Sequence, residues 1–180
     1  MIVLGSSSPR RKELLEMLGL KFIVYSPNID ENFDLKDPIA LSEKTALEKG
    51  KAVSLVYPNA TVIAADTIVL VDKMILGKPK SKEDAFKMIK EIQGKMHYVI
   101  TSVYLGKNLN YKLFSEKTKV WISPMTDKEI EDYVNTDEPY DKAGGYAIQG
   151  LFARFVERID GDFYNVMGLP LNRVYNELKK

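Results

Sequence analysis

The stretch Thr61–Val71 constrains the fold of this chain most strongly, because it contains the highest density of strand-forming residues in the sequence. Asp66 interrupts the apolar run, so the stretch is too short to cross a bilayer and suits a buried strand instead. Asp72 and Lys73 can turn the chain back into a second short strand over Met74–Leu76. The pattern therefore predicts a β-hairpin whose first strand is mostly buried.

Helical and strand patterns alternate on both sides of this hairpin. The predicted strands cover residues 1–4, 22–25, 97–105, 112–122 and 153–159, with a turn at residues 106–108. The predicted helices cover residues 10–18, 38–57, 81–94, 126–135 and 170–178. This alternation, interrupted by a hairpin, predicts the α/β class with a mixed twisted sheet and flanking helices. The 180 residues fit one domain, residues 1–180, which can form two lobes around a cleft.

The composition excludes several classes of chemistry. The chain contains no cysteine and a single histidine, His97, which rules out disulfides, thiolate catalysis and a metal site of several histidines within one chain. Lys and Arg total 26 and Asp and Glu total 25, so a net charge of +1 gives no general attraction to nucleic acid or to an acidic membrane. The first residues do not resemble a signal peptide, so we expect a cytoplasmic enzyme or binding domain.

Residues 6–11 (SSSPRR) lie between the first predicted strand and the first predicted helix. Exposed backbone N–H groups, the positive end of a helix and the guanidinium groups of Arg10 and Arg11 would meet there, an arrangement that suits phosphate oxygens. The alternative, a capped helix start with two solvated arginines, is the commoner meaning of such a pattern.

Acidic residues form a second group of candidates. Asp66 interrupts an apolar strand, so its carboxylate should face a cleft, a metal or a cation, unless it only accepts backbone hydrogen bonds at a strand end. Glu31 and Lys49 add another acid and a cation, although solvated surface charge also explains them. Acids combined with lysines and arginines, without a thiol, suit Mg²⁺ or Mn²⁺ and a phosphate substrate. His97 is interpreted as a structural residue.

Two turn regions complete the set. Lys78 lies in a Gly-Lys-Pro turn that can point into a cleft, but this turn lacks the glycines and the hydroxyl residue of a P-loop. Residues 141–150 (DKAGGYAIQG) are predicted to form a loop in which glycines let the backbone approach a ligand. Gln149 supplies a donor and an acceptor that can read the edge of a base, although an ordinary glycine loop is the alternative.

In combination, these segments resemble the Maf family of nucleotide pyrophosphatases along essentially the whole chain. The resemblance is carried by residues 6–15 (SSSPRRKELL), 65–67 (ADT), 77–79 (GKP), 141–150 (DKAGGYAIQG) and 168–170 (GLP). It implies an α/β fold similar to that of inosine triphosphate pyrophosphatase, with two lobes around a deep cleft. It also implies hydrolysis of a nucleoside triphosphate to the monophosphate and pyrophosphate, a divalent metal cation, and a homodimer.

The resemblance further implies roles for individual residues. Asp66 matches the family's catalytic acid, which accepts a proton, and with Glu31 it would bind the metal. Lys78 and Glu31 join Asp66 as expected catalytic residues. The expected substrate-binding residues are Ser8, Arg10, Arg11, Lys49, Thr67 and Gln149. Of these, Arg10, Thr67 and Gln149 fall on the positions that the family uses for specificity.

Thr67 after the acid and the Ile-Gln-Gly sequence at residues 148–150 are typical of the branch of the family that prefers dTTP and UTP. A branch that prefers 7-methyl-GTP usually carries a Glu-Gly sequence there. Modified pyrimidine nucleotides are further expected substrates. Two alternatives stay open at this point: the 7-methyl-GTP activity, and a regulator of cell division that acts by binding a partner.

Overall fold

The structure, a computed structural model, describes residues 1–107 and 110–180. Its strands are β1 (Ile2–Gly5), β2 (Phe22–Val24), β3 (Thr61–Val71), β4 (Met74–Leu76), β5 (Met96–Lys107), β6 (Asn110–Ile122) and β7 (Val156–Asp160). Its α-helices are α1 (Pro9–Met17), α2 (Pro38–Val56), α3 (Lys82–Ile92), α4 (Asp127–Val134), α5 (Phe163–Met167) and α6 (Leu171–Leu178). The predicted turn at residues 106–108 lies partly outside the described residues. Within them, no helix is both long enough and apolar enough to span a membrane.

The strands form one mixed sheet, which confirms the predicted α/β class. The strand order is β2-β1-β3-β5-β6-β7, and β4 pairs with β3 outside this path. β1 lies parallel to both β2 and β3, whereas the β3–β4 and β6–β7 pairs are antiparallel. The parallel pairs need crossovers, and α1 and α2 supply them.

The chain divides into two compact units, which are described separately. The first unit comprises residues 1–67, 101–116 and 164–180, and the second comprises residues 68–100 and 117–163.

The core of the first unit lies along β1 and β3, where Leu4 pairs with Ile63 in parallel register and both side chains are fully buried. Helix α2 begins at Pro38, and the side chain of Asp37 accepts a hydrogen bond of 2.7 Å from the backbone N–H of Ala40. This cap and the proline in the first turn explain why the predicted start of this helix was correct.

Gly50 lies on the buried face of α2, against the ring of Tyr104 on β5. A Cβ atom at residue 50 would lie 2.2 Å from ring carbons of Tyr104, so only glycine fits there. The hydroxyl of Tyr104 also hydrogen-bonds to Ser54 on the next turn of α2, at 3.1 Å. The glycine that lowers the helix propensity of this segment is therefore required by close packing between α2 and the sheet.

In the second unit, short-range turn and capping interactions determine where the hairpin turns and where two helices begin. Asp72 adopts φ 53° in the turn between β3 and β4, a conformation that Asp tolerates better than most residues. Ser81 caps α3 by accepting from the N–H of Asp84, and Thr126 forms a reciprocal capping box with Glu129 at the start of α4. The predicted hairpin and both predicted helix starts are confirmed.

The predicted strand over residues 153–159 was partly wrong. A 3₁₀ helix covers Leu151–Phe155, and the strand begins only at Val156. The carboxylate of Glu138 accepts hydrogen bonds from the backbone N–H groups of Leu151 and Phe152, at 2.7 and 3.1 Å. These contacts satisfy donors in the segment and hold it in a tight turn. The short helix α5 was not predicted, and the predicted loop at 141–150 contains short 3₁₀ turns.

Candidate functional site

The candidate site of the first unit lies where β1 ends and β3 continues. Gly5, the last residue of β1, pairs with Ala64 of β3, so the segment after β1 runs beside Asp66. Ligands of open α/β sheets commonly bind beyond the carboxyl ends of parallel strands. This edge of the sheet collects most of the residues that the sequence singles out.

Lys49 joins two of the predicted acids. Its ammonium lies 3.2 Å from Asp66 Oδ1 and 3.0 Å from Glu31 Oε1. The side chains of Lys49 and Asp66 are only 14% and 16% exposed, whereas that of Glu31 is 55% exposed. The acid that interrupts the apolar strand therefore faces a cation, and a second carboxylate shares it.

The neighbouring acids are bound locally instead. Asp30 accepts hydrogen bonds from the backbone and the side chain of Asn32, and Glu48 forms an ion pair with Lys44 one helical turn away. Asp30 and Glu48 therefore have local partners. Their sequence neighbours differ, because Glu31 contacts Lys49 and Lys49 contacts Asp66.

Arg11, at the start of α1, is held by three protein acceptors. Its Nε donates to the carbonyl oxygen of Gly168 at 2.8 Å, one Nη to Ser6 Oγ at 3.1 Å, and the other Nη to Thr67 Oγ1 at 2.9 Å. Burial lowers the pKa of Arg11, and the negative charge of Asp66 opposes that effect. Because arginine keeps its charge in proteins, the site holds a fixed cation beside the Asp66–Lys49 pair.

Ser8 and Arg10 lie at the same helix start. Ser8 is the N-cap residue of α1 and Pro9 opens the helix, yet within the described chain the Ser8 hydroxyl makes no capping hydrogen bond. The backbone N–H of Ser8 donates to Ser6 Oγ at 3.2 Å. Arg10 is half-buried and adds positive charge near Arg11. This helix start combines two guanidinium groups with a hydroxyl that is not used for capping.

Lys78 and Gln149 belong to the second unit, and both side chains are exposed. Their two segments touch, because the backbone N–H of Gly144 donates to the carbonyl oxygen of Gly77 at 2.9 Å. Gly150 follows Gln149, and a Cβ atom there would lie 2.1 Å from the Glu138 carboxylate. The loop that carries Gln149 is therefore built around a glycine for which no other residue can substitute without displacing Glu138.

His97 is fully buried on β5, and its Nε2 hydrogen-bonds to the hydroxyl of Tyr146 at 2.7 Å. Burial lowers the pKa of His97 to about 4, so the ring is neutral near pH 7. The contact ties the strand to the loop that carries Gln149 and fits the structural role inferred from the sequence.

Three contributors to the site were missed as individual residues. Ser6 and Gly168 lie inside segments that carry the family resemblance, but their contacts with Arg11 follow from no spacing in the sequence. Thr101, on β5, hydrogen-bonds to Thr67 from a fully buried position. A threonine in a strand is too common for the sequence to mark it.

The carboxylates of Asp66 and Glu31 suit a hard divalent cation. Both lie within 3.2 Å of the same ammonium group, which shows that they converge on one cationic position. Among the described residues, no group of three or more His, Cys, Asp or Glu side chains forms a metal cage. Mg²⁺ often uses only one or two protein carboxylates and takes its other oxygens from phosphate and water. The two acids fit that pattern.

The fold and these contacts define an α/β protein with a mixed sheet and a charged site at the position where β1 ends beside its parallel neighbour β3. The profile of the Maf-like protein family matches residues 1–180, and the chain belongs to this family. A relative from Geobacillus sp. (strain WCH70) named dTTP/UTP pyrophosphatase is 47% identical over 180 residues, covering 99% of this chain and 97% of the relative. One of the same name from Thermosipho africanus is 46% identical over 177 residues, covering 98% and 91%.

A solved structure supports the fold independently. The Ham1 protein of Staphylococcus aureus superposes with a TM-score of 0.54 and covers 99% of both chains. Its sequence identity to this chain is 15%, so the similarity concerns the fold alone.

Proposed function

We propose that this chain is a nucleoside triphosphate pyrophosphatase that hydrolyses dTTP and UTP to the monophosphate and pyrophosphate. The observation that carries the proposal is the Asp66–Lys49 pair beside the fixed guanidinium of Arg11. An acid, a lysine and an arginine at one sheet edge provide a proton acceptor and two cations for phosphates. The names of the relatives from Geobacillus and Thermosipho support this choice of substrate. Modified pyrimidine nucleotides fit the same chemistry.

The cations would bind the triphosphate. A nucleoside triphosphate carries about four negative charges near pH 7, and the whole chain carries only +1. Arg10, Arg11 and Lys49 supply positive charge in the first unit. The role of Lys78, which belongs to the second unit, rests on the family resemblance alone. The Ser8 hydroxyl and the start of α1 add hydrogen-bond donors for phosphate oxygens.

Asp66 would act as the proton acceptor for the attacking water. Its carboxylate is mostly shielded from solvent and paired with Lys49, so it is held in one position. Asp66 and Glu31 would bind Mg²⁺ or Mn²⁺ together with the substrate. When bound, the metal neutralises phosphate charge and polarises the phosphorus that is attacked. Deprotonation or orientation of the water is the contribution of Asp66 itself.

Gln149 would read the base. Its amide can donate to a carbonyl oxygen and accept from a ring N–H, as thymine and uracil require. Arg10 and Thr67 are the other residues at the family's specificity positions. A homodimer, a cytoplasmic location and the absence of nucleic-acid binding belong to the proposal on sequence grounds alone.

The products and the metal requirement test this proposal together. With dTTP or UTP and Mg²⁺ or Mn²⁺, we expect equal amounts of monophosphate and pyrophosphate. A chelator should reduce the rate to background, and added metal should restore it. Release of orthophosphate instead of pyrophosphate would contradict the reaction. Full activity after exhaustive chelation and dialysis would remove the metal from the mechanism.

A further inference from the structure

A series of three hydrogen bonds connects Arg11 to the backbone of α5. Arg11 Nη2 lies 2.9 Å from Thr67 Oγ1, Thr67 Oγ1 lies 2.9 Å from Thr101 Oγ1, and Thr101 Oγ1 lies 3.0 Å from the carbonyl oxygen of Asn165. Thr101 is completely buried, so bulk water cannot compete for its hydrogen bonds to Thr67 and Asn165. All four residues belong to the first unit.

The direction of every hydrogen bond in this chain can be assigned. The carbonyl oxygen of Asn165 can only accept, so the single hydroxyl hydrogen of Thr101 points to it. Thr101 Oγ1 must then accept from Thr67, because it has no second hydrogen to donate. The Thr67 oxygen accepts in turn from Arg11. The only hydrogen of the Thr67 hydroxyl is thus committed to Thr101 and cannot be donated to a base.

The guanidinium of Arg11 uses only part of its N–H groups in contacts with the protein. A guanidinium has five N–H groups, and three of them donate to Gly168, Ser6 and Thr67. Among the described residues, the other two N–H groups have no acceptor, so they are available to a ligand on a side chain that three segments hold in place. Fixing a guanidinium before binding reduces the entropy that a phosphate complex must otherwise lose.

We propose that Thr101 is a positioning residue: it fixes the hydroxyl of Thr67, which in turn fixes Arg11 for phosphate binding. Thr67 accordingly acts on the phosphates through Arg11, whereas base selection depends on other residues. This inference rests on the phosphate-binding role of Arg11 in the proposed function. It assigns to Thr67 a task different from the base selection expected from its position in the family.

A structural role for Thr101 alone predicts different behaviour. Its hydrogen bond to Asn165 ties β5 to α5, so its removal would lower stability even if Arg11 were unaffected. Such a loss would change the midpoint of thermal unfolding but not the affinity of the folded protein for polyphosphate. Affinity therefore has to be measured well below the unfolding temperature of each variant.

The first experiment uses inorganic tripolyphosphate with Mg²⁺ as the probe and calorimetry as the measurement. We expect Thr101→Val to weaken binding about fivefold, the effect of one lost hydrogen bond. Thr101→Ser keeps the hydroxyl and should stay within about twofold of wild type on the same scale. If Thr101→Val does not fold, Thr101→Cys replaces it. Because a thiol is only a weak donor, this variant should also bind tripolyphosphate more weakly than wild type, by a smaller factor than Val. Unchanged affinity in the folded Val or Cys variant would overturn the inference.

A double-mutant cycle tests whether Thr101 acts through Thr67. Thr67→Val should weaken tripolyphosphate binding about as much as Thr101→Val, because both release Arg11. In the Thr67→Val background, the additional Thr101→Val change should have almost no further effect. Independent, additive losses from the two substitutions would overturn the relay. An Arg11→Ala variant that binds tripolyphosphate as wild type does would overturn it as well.

Turnover separates this inference from the proposed function. In Thr67→Val, KM should rise by a similar factor for UTP and for CTP, so the ratio of their kcat/KM values should stay within about twofold of wild type. A large change in that ratio would show that Thr67 reads the base and would overturn the inference. A wild-type chain that binds tripolyphosphate but releases no pyrophosphate from dTTP or UTP would overturn the proposed function, and the affinity cycle would still decide the role of Thr101.

Discussion

At the scale of single residues, the site depends on how Lys49 is shared. One ammonium lies between the mostly buried carboxylate of Asp66 and the more exposed carboxylate of Glu31. Asp66 sits on a rigid strand, whereas Glu31 lies in the long segment between β2 and α2. The strand-borne acid is the better candidate for a proton acceptor, because its position is fixed by the sheet.

The substitution Asp66→Asn should lower kcat at least about a hundredfold, since a positioned acid or base contributes roughly 10²- to 10⁴-fold. Asn keeps the shape of the side chain but removes its charge. The measurement is pyrophosphate release at saturating metal, with thermal unfolding as a check of the fold.

Asp72→Asn is the matched control for this change. Asp72 lies in the turn that follows the same strand, forms an exposed ion pair with Lys95, and has a positive φ that Asn tolerates well. We expect its activity to stay near that of wild type. Near-normal activity of Asp66→Asn would show that Asp66 has been assigned the wrong role.

The sequence revealed Asp66 because a carboxylate in an apolar strand is unusual and costly to bury. It revealed Arg11 because a strand, a hydroxyl-rich turn and a helix start lie in succession. It could not reveal Thr101, whose role depends on the meeting of β3 with β5 and of β5 with α5, contacts between segments far apart in the chain. Such a role leaves no spacing that a sequence pattern can show.

At the scale of secondary structure, α2 carries Lys49 to the site and packs against β5. Gly50, the next residue, lies against the ring of Tyr104. Two effects of a substitution there can be compared directly. Ala would favour the helix by roughly 0.5–1 kcal/mol, but its Cβ would overlap ring atoms at 2.2 Å. Overpacking of this kind costs about 1–3 kcal/mol.

We therefore predict that Gly50→Ala lowers the free energy of unfolding by about 1–2 kcal/mol, because the packing cost exceeds the gain in helix propensity. Movement of α2 away from Tyr104 should also displace Lys49 and lower kcat/KM. Urea unfolding and steady-state kinetics measure the two effects.

Lys51→Ala, an exposed position one residue further along α2, serves as the control and should change stability by less than about 0.5 kcal/mol. If Gly50→Ala were more stable than wild type and fully active, close packing at this position would not determine where Lys49 points.

Local signals account for the elements that the sequence predicted well. A helix cap or a tight turn involves residues only a few positions apart, so the sequence alone can predict it. This applies to the caps at Asp37, Ser81 and Thr126 and to the turn at Asp72. The strand predicted from residue 153 begins late because the 3₁₀ helix Leu151–Phe155 occupies its first residues. Glu138, which lies 13 and 14 residues earlier in the sequence, binds the first two backbone N–H groups of that helix. A contact of that range overrides local strand preference.

At the scale of the whole molecule, burial of the single histidine makes stability depend on pH. The pKa of His97 is lowered to about 4 by burial, compared with 6.5 in an exposed side chain. The unfolded chain therefore takes up a proton below about pH 6.5, whereas the folded chain resists protonation down to about pH 4. The contribution of His97 to stability is fully present above about pH 6.5 and is lost as the pH falls toward 4.

We expect His97 to account for a loss of about 3 kcal/mol between pH 6.5 and pH 4. His97→Gln, which can still hydrogen-bond to Tyr146 but does not titrate, should lose correspondingly less over this range. Urea unfolding at several pH values compares the two proteins and subtracts the contribution of the carboxylates that both share. Parallel pH profiles for wild type and His97→Gln would show that the buried histidine does not limit stability in acid.

Release of pyrophosphate from a panel of nucleotides tests the central claim most directly. Wild type and Gln149→Glu would be assayed with dTTP, UTP, CTP and 7-methyl-GTP in the presence of Mg²⁺ or Mn²⁺. Wild type should prefer dTTP and UTP over CTP by about tenfold or more, because cytosine leaves hydrogen-bonding groups of the site unpaired. Gln149→Glu should reduce that preference, since it removes the amide donor. Equal hydrolysis of CTP and UTP by wild type, a preference for 7-methyl-GTP, or no pyrophosphate from dTTP and UTP would contradict the proposed activity.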